Sequence, residues 1–511
     1  MQIRHQALAL AVLSGLLLAL SFPKYGHPAV AWIALTPLVI AAWQAPSPSR
    51  AFLLGLLSGA VYFWGTLYWL IETMTTFGGL STVTAVFAAF LLVAYLALFP
   101  AAFAWALARS RRSLGSRALA LAPAIWVSTE LGRQYVWDGF PWALLGYSQV
   151  TVLPVAQVAS VVGVYGLSGL LAFVAAAAAA PVLFAGRSRW IYPAVAVGLV
   201  VLCAGWGSAR MSSARLLEAG DPVRVAVIQG NIEQEDKWNP ELRDAITDKY
   251  IAMTRQALAS GATFIIWPES STPFYFEHDL IRGGSIRRLA RESGATLLIG
   301  SDQVEPVKAT TPDQRPEARY YNAAFLVRPD GQVGAVYRKM HLVPFGEYVP
   351  LQNLLFFVAP IVEAVSSFTP GQDPVLLPVD GHMVSTAICY EVIFPSLIRR
   401  FVQDGSELLT TITNDAWYGR SSAAYQHWDQ AAMRSIEQGR YLARAANTGI
   451  SGFVDPYGRV LEKTDLFQDA IVVGDLRFIQ ERTIYSRIGD LVAWLSLGLT
   501  IAALAVTFRS R

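Results

Sequence analysis

The sequence predicts two parts of different class: a polytopic α-helical membrane domain of about eight spans, and an α/β sandwich domain outside the bilayer. Three observations predict this. Hydrophobic residues make up 54% of the 511-residue chain and charged residues only 15%, which is not the balance of a soluble enzyme. Acidic residues are segregated, with 33 of the 37 between residues 209 and 486; only Glu72, Glu130 and Asp138 precede that block and only Asp490 follows it. Since 27 of the 40 basic residues lie in the same block, its formal charge is −6, while the whole chain carries +3. Finally, short β-rich runs alternate with amphipathic helical stretches through that middle block.

Apolar runs suited to crossing about 30 Å of hydrocarbon lie at 8–22, 30–43, 51–71, 80–108, 118–131, 155–185, 190–206 and 491–508, the first, second and fifth being short. Cytoplasmic loops carry the excess of Lys and Arg. With the N-terminus inside, the cytoplasmic set is Arg4, Arg50, Arg109, Arg111, Arg112, Arg117, Arg187, Arg189, Arg509 and Arg511, against Lys24 and Arg133 in the short outer loops. Ten against two predicts cytoplasmic termini. The chain then divides into a helical membrane domain at 1–208 with about seven spans, an outer domain at 209–486, and a C-terminal span at 487–511. No small-x-small cleavage signal follows Leu20, so the first span reads as retained.

In the outer domain, β-rich runs occur at 223–229, 263–267, 296–300, 323–327, 333–338, 384–389, 408–413 and 450–454, and helical stretches at 241–260, 284–293, 394–404 and 423–446. Apolar strands that look buried on both faces, joined by connectors of 10 to 20 residues, favour an α/β sandwich over an antiparallel barrel.

Cys203 falls in a span and Cys389 in the outer domain, so the two are not expected to pair. An oxidising compartment selects against an idle free thiol. Cys389 follows the strand pattern Val384-Ser-Thr-Ala-Ile388, Glu269 follows Phe264-Ile-Ile-Trp-Pro268, and Lys339 follows Val333-Gly-Ala-Val-Tyr-Arg338. Each has a bland reading: Cys389 as a small buried hydrophobe, Glu269 as a helix N-terminal carboxylate, Lys339 as a solvated charge. Their joint occurrence favours chemistry, because a thiol nucleophile needs a base and a cationic or N–H-rich site for the developing oxyanion.

Glu269, Lys339 and Cys389, in that order, resemble the Glu-Lys-Cys triad of the carbon–nitrogen hydrolase (nitrilase) superfamily. The phrases Val227-Ile-Gln-Gly-Asn-Ile232, Lys339-Met-His-Leu-Val-Pro-Phe-Gly-Glu347, Cys389-Tyr-Glu391 and Thr413-Asn-Asp-Ala-Trp-Tyr-Gly419, framed by spans, resemble the superfamily's membrane-bound branch, the apolipoprotein N-acyltransferases. The resemblance implies a nitrilase-like α-β-β-α sandwich inserted between seven N-terminal spans and one C-terminal span. It also implies a bacterial inner-membrane enzyme with a periplasmic catalytic domain, completing lipoprotein maturation by a ping-pong route. Glu269 would take the Cys389 proton, the thiolate would attack a phospholipid ester, phosphatidylethanolamine being the expected donor, and Lys339 would stabilise the oxyanion. The acyl thioester would then pass to the N-terminal amine of a diacylglyceryl-cysteine on an apolipoprotein. Such a cycle draws its activation from the donor ester and requires no nucleotide.

Supporting residues implied by the same resemblance are Glu347, which would orient Lys339; Tyr390 and Glu391 beside the nucleophile; Asn414 and Trp417 lining the pocket; and Trp238 near the entrance. Glu391 could instead cap a helix near Phe394, and Asn414 could be turn chemistry. His341, two residues beyond Lys339, points to the opposite side of an extended chain and reads as packing or loop hydrogen bonding rather than as a rival base. The outer-domain histidines show no ligand spacing, so no metal or cofactor is expected; phosphate cradles and basic aromatic patches for nucleic acid are likewise lacking. Gly166-Leu-Ser-Gly169 lies at a span and reads as small-residue packing. The apolar stretch 351–362 inside a polar domain reads as a lipid-facing arm. Two alternatives stand beside the acyltransferase: a membrane-tethered amidase or nitrilase delivering the acyl group to water, and a transporter or polytopic scaffold with an appended binding domain. Transport calls for paired intramembrane charges, whereas Glu72, Glu130 and Asp138 fall near span ends.

Overall fold

The computed structural model describes residues 2–307, 317–348 and 368–509; the stretch 351–362 expected as an arm lies outside them. The chain forms two compact units: Met1–Ala214 with Ser421–Glu437 and Thr483–Arg511, and Arg215–Arg420 with Gln438–Arg482.

The first unit is helical, with α1 (Gln2–Ala19), α2 (Thr36–Gln44), α3 (Pro48–Leu67), α4 (Thr82–Leu114), α5 (Ala122–Tyr135), α6 (Ala159–Leu183) and α7 (Ser188–Ser212) among its elements. Among the described residues five helical segments are long and apolar enough to cross a membrane: Pro48–Leu67, Thr82–Tyr135, Ala159–Leu183, Arg189–Glu218 and Leu491–Phe508. His5–Ala19 and Pro28–Gln44 are shorter apolar helical segments. The runs expected at 80–108 and 118–131 thus lie in one segment, interrupted at Gly115, which adopts φ 57°. Helices α3 and α4 approach closely because Gly55 and Gly59 face Pro100 and Ala97; a Cβ on Gly55 would lie 2.4 Å from the Pro100 carbonyl oxygen. Small residues at such a crossing are the membrane solution to helix packing, where lipid gives no hydrophobic drive. Glu130, read as lying near a span end, falls within α5. It is buried against Arg133 at 3.5 Å, and accepts hydrogen bonds from Trp126 Nε1 at 3.1 Å and Leu145 N at 2.8 Å.

The second unit is built on two six-stranded sheets. The first comprises β1 (Asp221–Gln229), β2 (Phe264–Ile266), β3 (Thr296–Val307), β4 (Glu317–Val327), β5 (Val333–Arg338) and β12 (Ala470–Phe478), ordered β12-β1-β2-β3-β4-β5. The second comprises β6 (Leu377–Val379), β7 (His382–Ile388), β8 (Leu408–Thr413), β9 (Leu442–Ala446), β10 (Gly452–Val454) and β11 (Val460–Lys463), ordered β11-β10-β9-β8-β7-β6. Parallel pairing of β1, β2 and β3, and of β7, β8 and β9, explains the apolar character of those strands on both faces. Helices α8 (Arg243–Ala259) and α9 (Arg282–Ser293) cover the first sheet, and Tyr250, Ile286, Leu289, Trp267, Leu297 and Phe325 share its core. Trp267 stacks on Tyr250 at 4.9 Å and donates to Thr254 Oγ1 at 2.9 Å, so its polar edge is satisfied in the dry layer. Helix α10 (Pro395–Gln403) packs against β7.

The helix expected over 423–446 is corrected by the structure. Helix α11 (Ser422–Gln438) ends at Gly439, φ 64°, and Leu442–Ala446 is strand β9. The run Leu-Ala-Arg-Ala-Ala has high helix propensity, yet all five residues are buried between β8 and β10, where ladder hydrogen bonds and packing override propensity. Strands β6, β11 and β12 are additional to the expected set; β11 is exposed throughout and so lacks a hydrophobic signature.

Candidate active site

Three strand ends bring the triad residues into one buried pocket. Beyond β2, Trp267 and Pro268 lead to Glu269, followed by Ser270 at φ 44°. A Cβ on Gly300 of β3 would lie 2.3 Å from the Pro268 carbonyl oxygen and 2.7 Å from Glu269 Cα, so only glycine lets this turn rest on the strand. Both oxygens of Glu269 are occupied. Oε1 accepts from Asn322 Nδ2 at 2.7 Å and faces Lys339 Nζ at 3.4 Å, while Oε2 accepts from Asn414 N at 2.8 Å.

Lys339 follows β5, and its main chain is held by Asn322, whose carbonyl accepts from Lys339 N at 2.8 Å. The side chain is only 1% exposed and its ammonium donates to Glu347 Oε1 at 2.9 Å. Burial works against this charge, but Glu347 and Glu269 outweigh it and hold the ammonium above its ordinary range. Glu347 is fixed in turn, accepting from Asn322 Nδ2 at 2.8 Å and, through its other oxygen, from Val343 N at 2.8 Å. Asn322, on β4, therefore clamps both carboxylates that grip Lys339.

Cys389 follows β7 with φ 52°, a left-handed conformation that costs a residue with a Cβ roughly 1–2 kcal/mol. Such strain at a strand end marks a residue whose side chain is being aimed. Burial pushes the Cys389 thiol up, Glu269 and Asp415 push the same way, and Lys339 and a hydrogen bond with Thr413 oppose them. The resting sulfur thus holds its proton, and a base must remove it. Thr413 donates to Asp415 Oδ1 at 2.8 Å, and Asp415 Oδ2 accepts from Arg444 Nη2 at 2.8 Å in a fully buried ion pair.

Glu391 ties the nucleophile to the lysine. Its Oε2 accepts from Ile388 N at 2.7 Å; its Oε1 accepts from Met340 N at 2.7 Å, His341 N at 3.1 Å and Tyr337 Oη at 2.8 Å. The carboxylate bridges the residues flanking Cys389 and Lys339 rather than capping α10. Burial pushes it up to about 7. Tyr390 is buried, and the His341 ring lies 3.7 Å from that of Phe394, a packing position. Asn414 lies in the pocket through its N–H to Glu269, and its side chain joins Gln234 at 2.7 Å and Asn447 at 3.0 Å. Trp417 and Trp238 are 38% and 43% exposed, in chain segments that adjoin Asn414 and Lys237. Ser168 of the Gly-Leu-Ser-Gly run accepts a hydrogen bond from Gly146 N at 2.8 Å within the helical unit.

Residues the sequence did not single out complete the pocket. Asn322 lies on β4, whose run Glu317-Ala-Arg-Tyr-Tyr-Asn322 carries other polar residues as well, so it gave no distinct signal. Lys237 donates to the Glu269 carbonyl at 3.1 Å, and in a polar loop a lysine gives no signal. Among the described residues no group of three or more His, Cys, Asp or Glu side chains is disposed to hold a metal ion. A thiol, a fixed carboxylate and an ammonium brought together in one buried site are the groups that acyl transfer through sulfur requires.

Comparison with known proteins relates the chain to two families. The family described as Apolipoprotein N-acyltransferase N-terminal domain matches residues 14–177, and Carbon-nitrogen hydrolase matches residues 224–483. An apolipoprotein N-acyltransferase from Geobacter metallireducens is 40% identical over 98% of this chain and 95% of its own length. One from Methylococcus capsulatus is 36% identical over 99% of this chain and 96% of its own. Among solved structures, an amidase of the nitrilase superfamily from Nesterenkonia AN1 is similar over 53% of this chain and 96% of its own, with 21% identity and a TM-score of 0.40.

Proposed function

The chain belongs to the apolipoprotein N-acyltransferase family, and from that premise we infer that it acylates the N-terminal amine of the diacylglyceryl-cysteine of apolipoproteins through a thioester on Cys389. In the first half-reaction Glu269 accepts the Sγ proton and the sulfur attacks an ester carbonyl of a phospholipid, phosphatidylethanolamine in this reading. A C–S bond forms. The tetrahedral oxyanion is met by Lys339 and a main-chain N–H near Cys389, and collapses by expelling the lysophospholipid alkoxide, which takes the proton from Glu269. In the second half-reaction the neutral amine attacks the thioester, Glu269 accepts the proton released as the amide forms, and Cys389 regains it as the C–S bond breaks. Exchange of ester for thioester is nearly balanced and thioester to amide runs downhill, so no nucleotide is needed.

The observation that supports this most is the fixation of Glu269: one oxygen is clamped by Asn322 beside Lys339, the other by the Asn414 N–H, while the thiol it serves is kept protonated by burial. Such a base is aligned before substrate arrives, and preorganised groups in a low-dielectric pocket contribute most of the barrier reduction. Tyr390, Trp417 and Trp238 line the approach in this reading. We place the enzyme in the inner membrane with both termini cytoplasmic, 1–208 and 487–511 membrane-embedded and 209–486 periplasmic, because the Lys and Arg asymmetry of the loops has that sign. The test is intact mass spectrometry of purified protein mixed with phosphatidylethanolamine. An acyl adduct labile to hydroxylamine, present in wild type and absent in Cys389→Ala, is expected; an unmodified wild type overturns the reading. Rapid release of free fatty acid without acceptor would favour the amidase alternative.

A further inference from the structure

We propose that Lys237 is the second cation of this active site, a positioning residue that fixes the main chain of Glu269 and balances the negative charge gathered around Cys389. The proposal rests on the thioester reading for its meaning, though not for its test.

Lys237 is 3% exposed, and a lysine is almost never so buried without a partner. Its ammonium donates to the carbonyl of Glu269 at 3.1 Å and lies within electrostatic reach of Glu269, Asp302 and Cys389. Lys339, the cation already in the pocket, is shared between the carboxylates of Glu269 and Glu347 at 3.4 and 2.9 Å. One ammonium against two carboxylates leaves a net negative pocket before any charge develops on sulfur or on a tetrahedral oxygen, with Asp415 adding to the negative field at Cys389. In a dry site that surplus opposes both steps. Lys237 supplies the missing charge. Burial lowers its ammonium to about 8, with Glu269, Asp302 and Cys389 pulling the other way, so it still carries its proton at neutral pH.

The loop bearing Lys237 is held by the same network as the base. Ile232 exchanges hydrogen bonds with the Asn447 side chain at 2.9 and 2.7 Å, and Gln234 accepts from Asn414 Nδ2 at 2.7 Å, while Asn414 N donates to Glu269. Lys237 N closes the turn on the Glu233 carbonyl at 3.1 Å. Asp302, one of the groups acting on the ammonium, accepts from Ser270 Oγ at 3.3 Å. A lysine kept solely to hold a loop would not need to lie within electrostatic reach of the base, the nucleophile and a third carboxylate.

The test measures the alkylation rate of Cys389 by iodoacetamide in the full-length protein, read on the Cys389 peptide by mass spectrometry between about pH 6 and 9, where the rate follows the thiolate population. Lys237→Met is expected to alkylate about tenfold more slowly, a displacement of the profile by about one pH unit upward, the scale of one charge near a buried thiol. Lys237→Arg restores most of the rate. A folded Lys237→Met with an unchanged profile overturns the proposal. Should Lys237→Met fail to fold, Lys237→Gln, whose amide can still donate to the Glu269 carbonyl but carries no charge, decides: slower alkylation supports the proposal, and an equal or faster rate overturns it. Neither phospholipid nor acceptor is present, so failure here is distinct from failure of the acyl-adduct experiment.

Discussion

Replacing Glu391 with glutamine tests whether the nucleophile and the lysine are held in register by one carboxylate. Glu391 accepts four hydrogen bonds, one from Ile388 N and three from Met340 N, His341 N and Tyr337 Oη. Glutamine keeps one acceptor oxygen and gains an NH2. Whichever way the amide turns, its NH2 meets donors, and the less costly orientation faces Ile388 N–H while the oxygen keeps the other three. That loses one charge-assisted bond and leaves a buried N–H unpaired, about 2–4 kcal/mol. The loss falls next to Cys389, whose left-handed turn depends on its flanking backbone being held. A relaxation of about 1 Å there is expected to reduce kcat/KM about 10²-fold. The assay is mass-spectrometric acyl transfer from phosphatidylethanolamine to a diacylglyceryl lipopeptide, run beside thermal unfolding in detergent. A Glu391→Gln enzyme with more than half of wild-type kcat/KM and an unshifted melting temperature would refute the bridging role.

Other predictions follow from single contacts. Gly300→Ala would place a Cβ 2.7 Å from Glu269 Cα, displacing the base; kcat should fall roughly 10²-fold, read in the same transfer assay. Asn322→Leu removes the donor shared by Glu269 and Glu347 and should lower kcat at least tenfold, with wild-type turnover counting against the clamp. Arg444→Met strips the partner from fully buried Asp415 and should destabilise by about 3–5 kcal/mol, while Arg444→Met with Asp415→Leu should recover much of that in thermal melts. Burial pushes the Asp302 carboxyl up to about 7 from an ordinary value of 3.8, so the native protein keeps a proton there that the unfolded chain has released. Its stabilising contribution is therefore complete below about pH 3.8 and is lost as pH rises through 7; Asp302→Asn should flatten that part of the stability profile, measured by melting temperature against pH.

Glu269, Lys339 and Cys389 were legible because each follows a strand pattern, and a strand end is where a side chain can leave a packed layer and meet others. Glu347 and Asn414 were legible only through the motifs that hold them. Asn322 and Lys237 were not, since a single polar residue in a strand or a lysine in a loop has the same local pattern whether it faces solvent or a carboxylate. Glu391 was visible as a carboxylate beside the nucleophile, but its reach to Met340 and His341 crosses about fifty residues of chain.

By itself the sequence determined the division between apolar helical and polar α/β segments, because transfer from water acts on composition and periodicity that any stretch of chain carries with it. It also determined the order of Glu269, Lys339 and Cys389 along the chain, each after a strand pattern. Tertiary structure alone decided that Leu442–Ala446 is a strand despite its helix-forming residues, that Glu391 reaches the backbone of Met340 and His341, and that two ammonium groups converge on Glu269, Lys339 at its carboxylate and Lys237 at its main-chain carbonyl. Those outcomes depend on which distant groups share a desolvated space, and that is a property of packing rather than of neighbours in the chain.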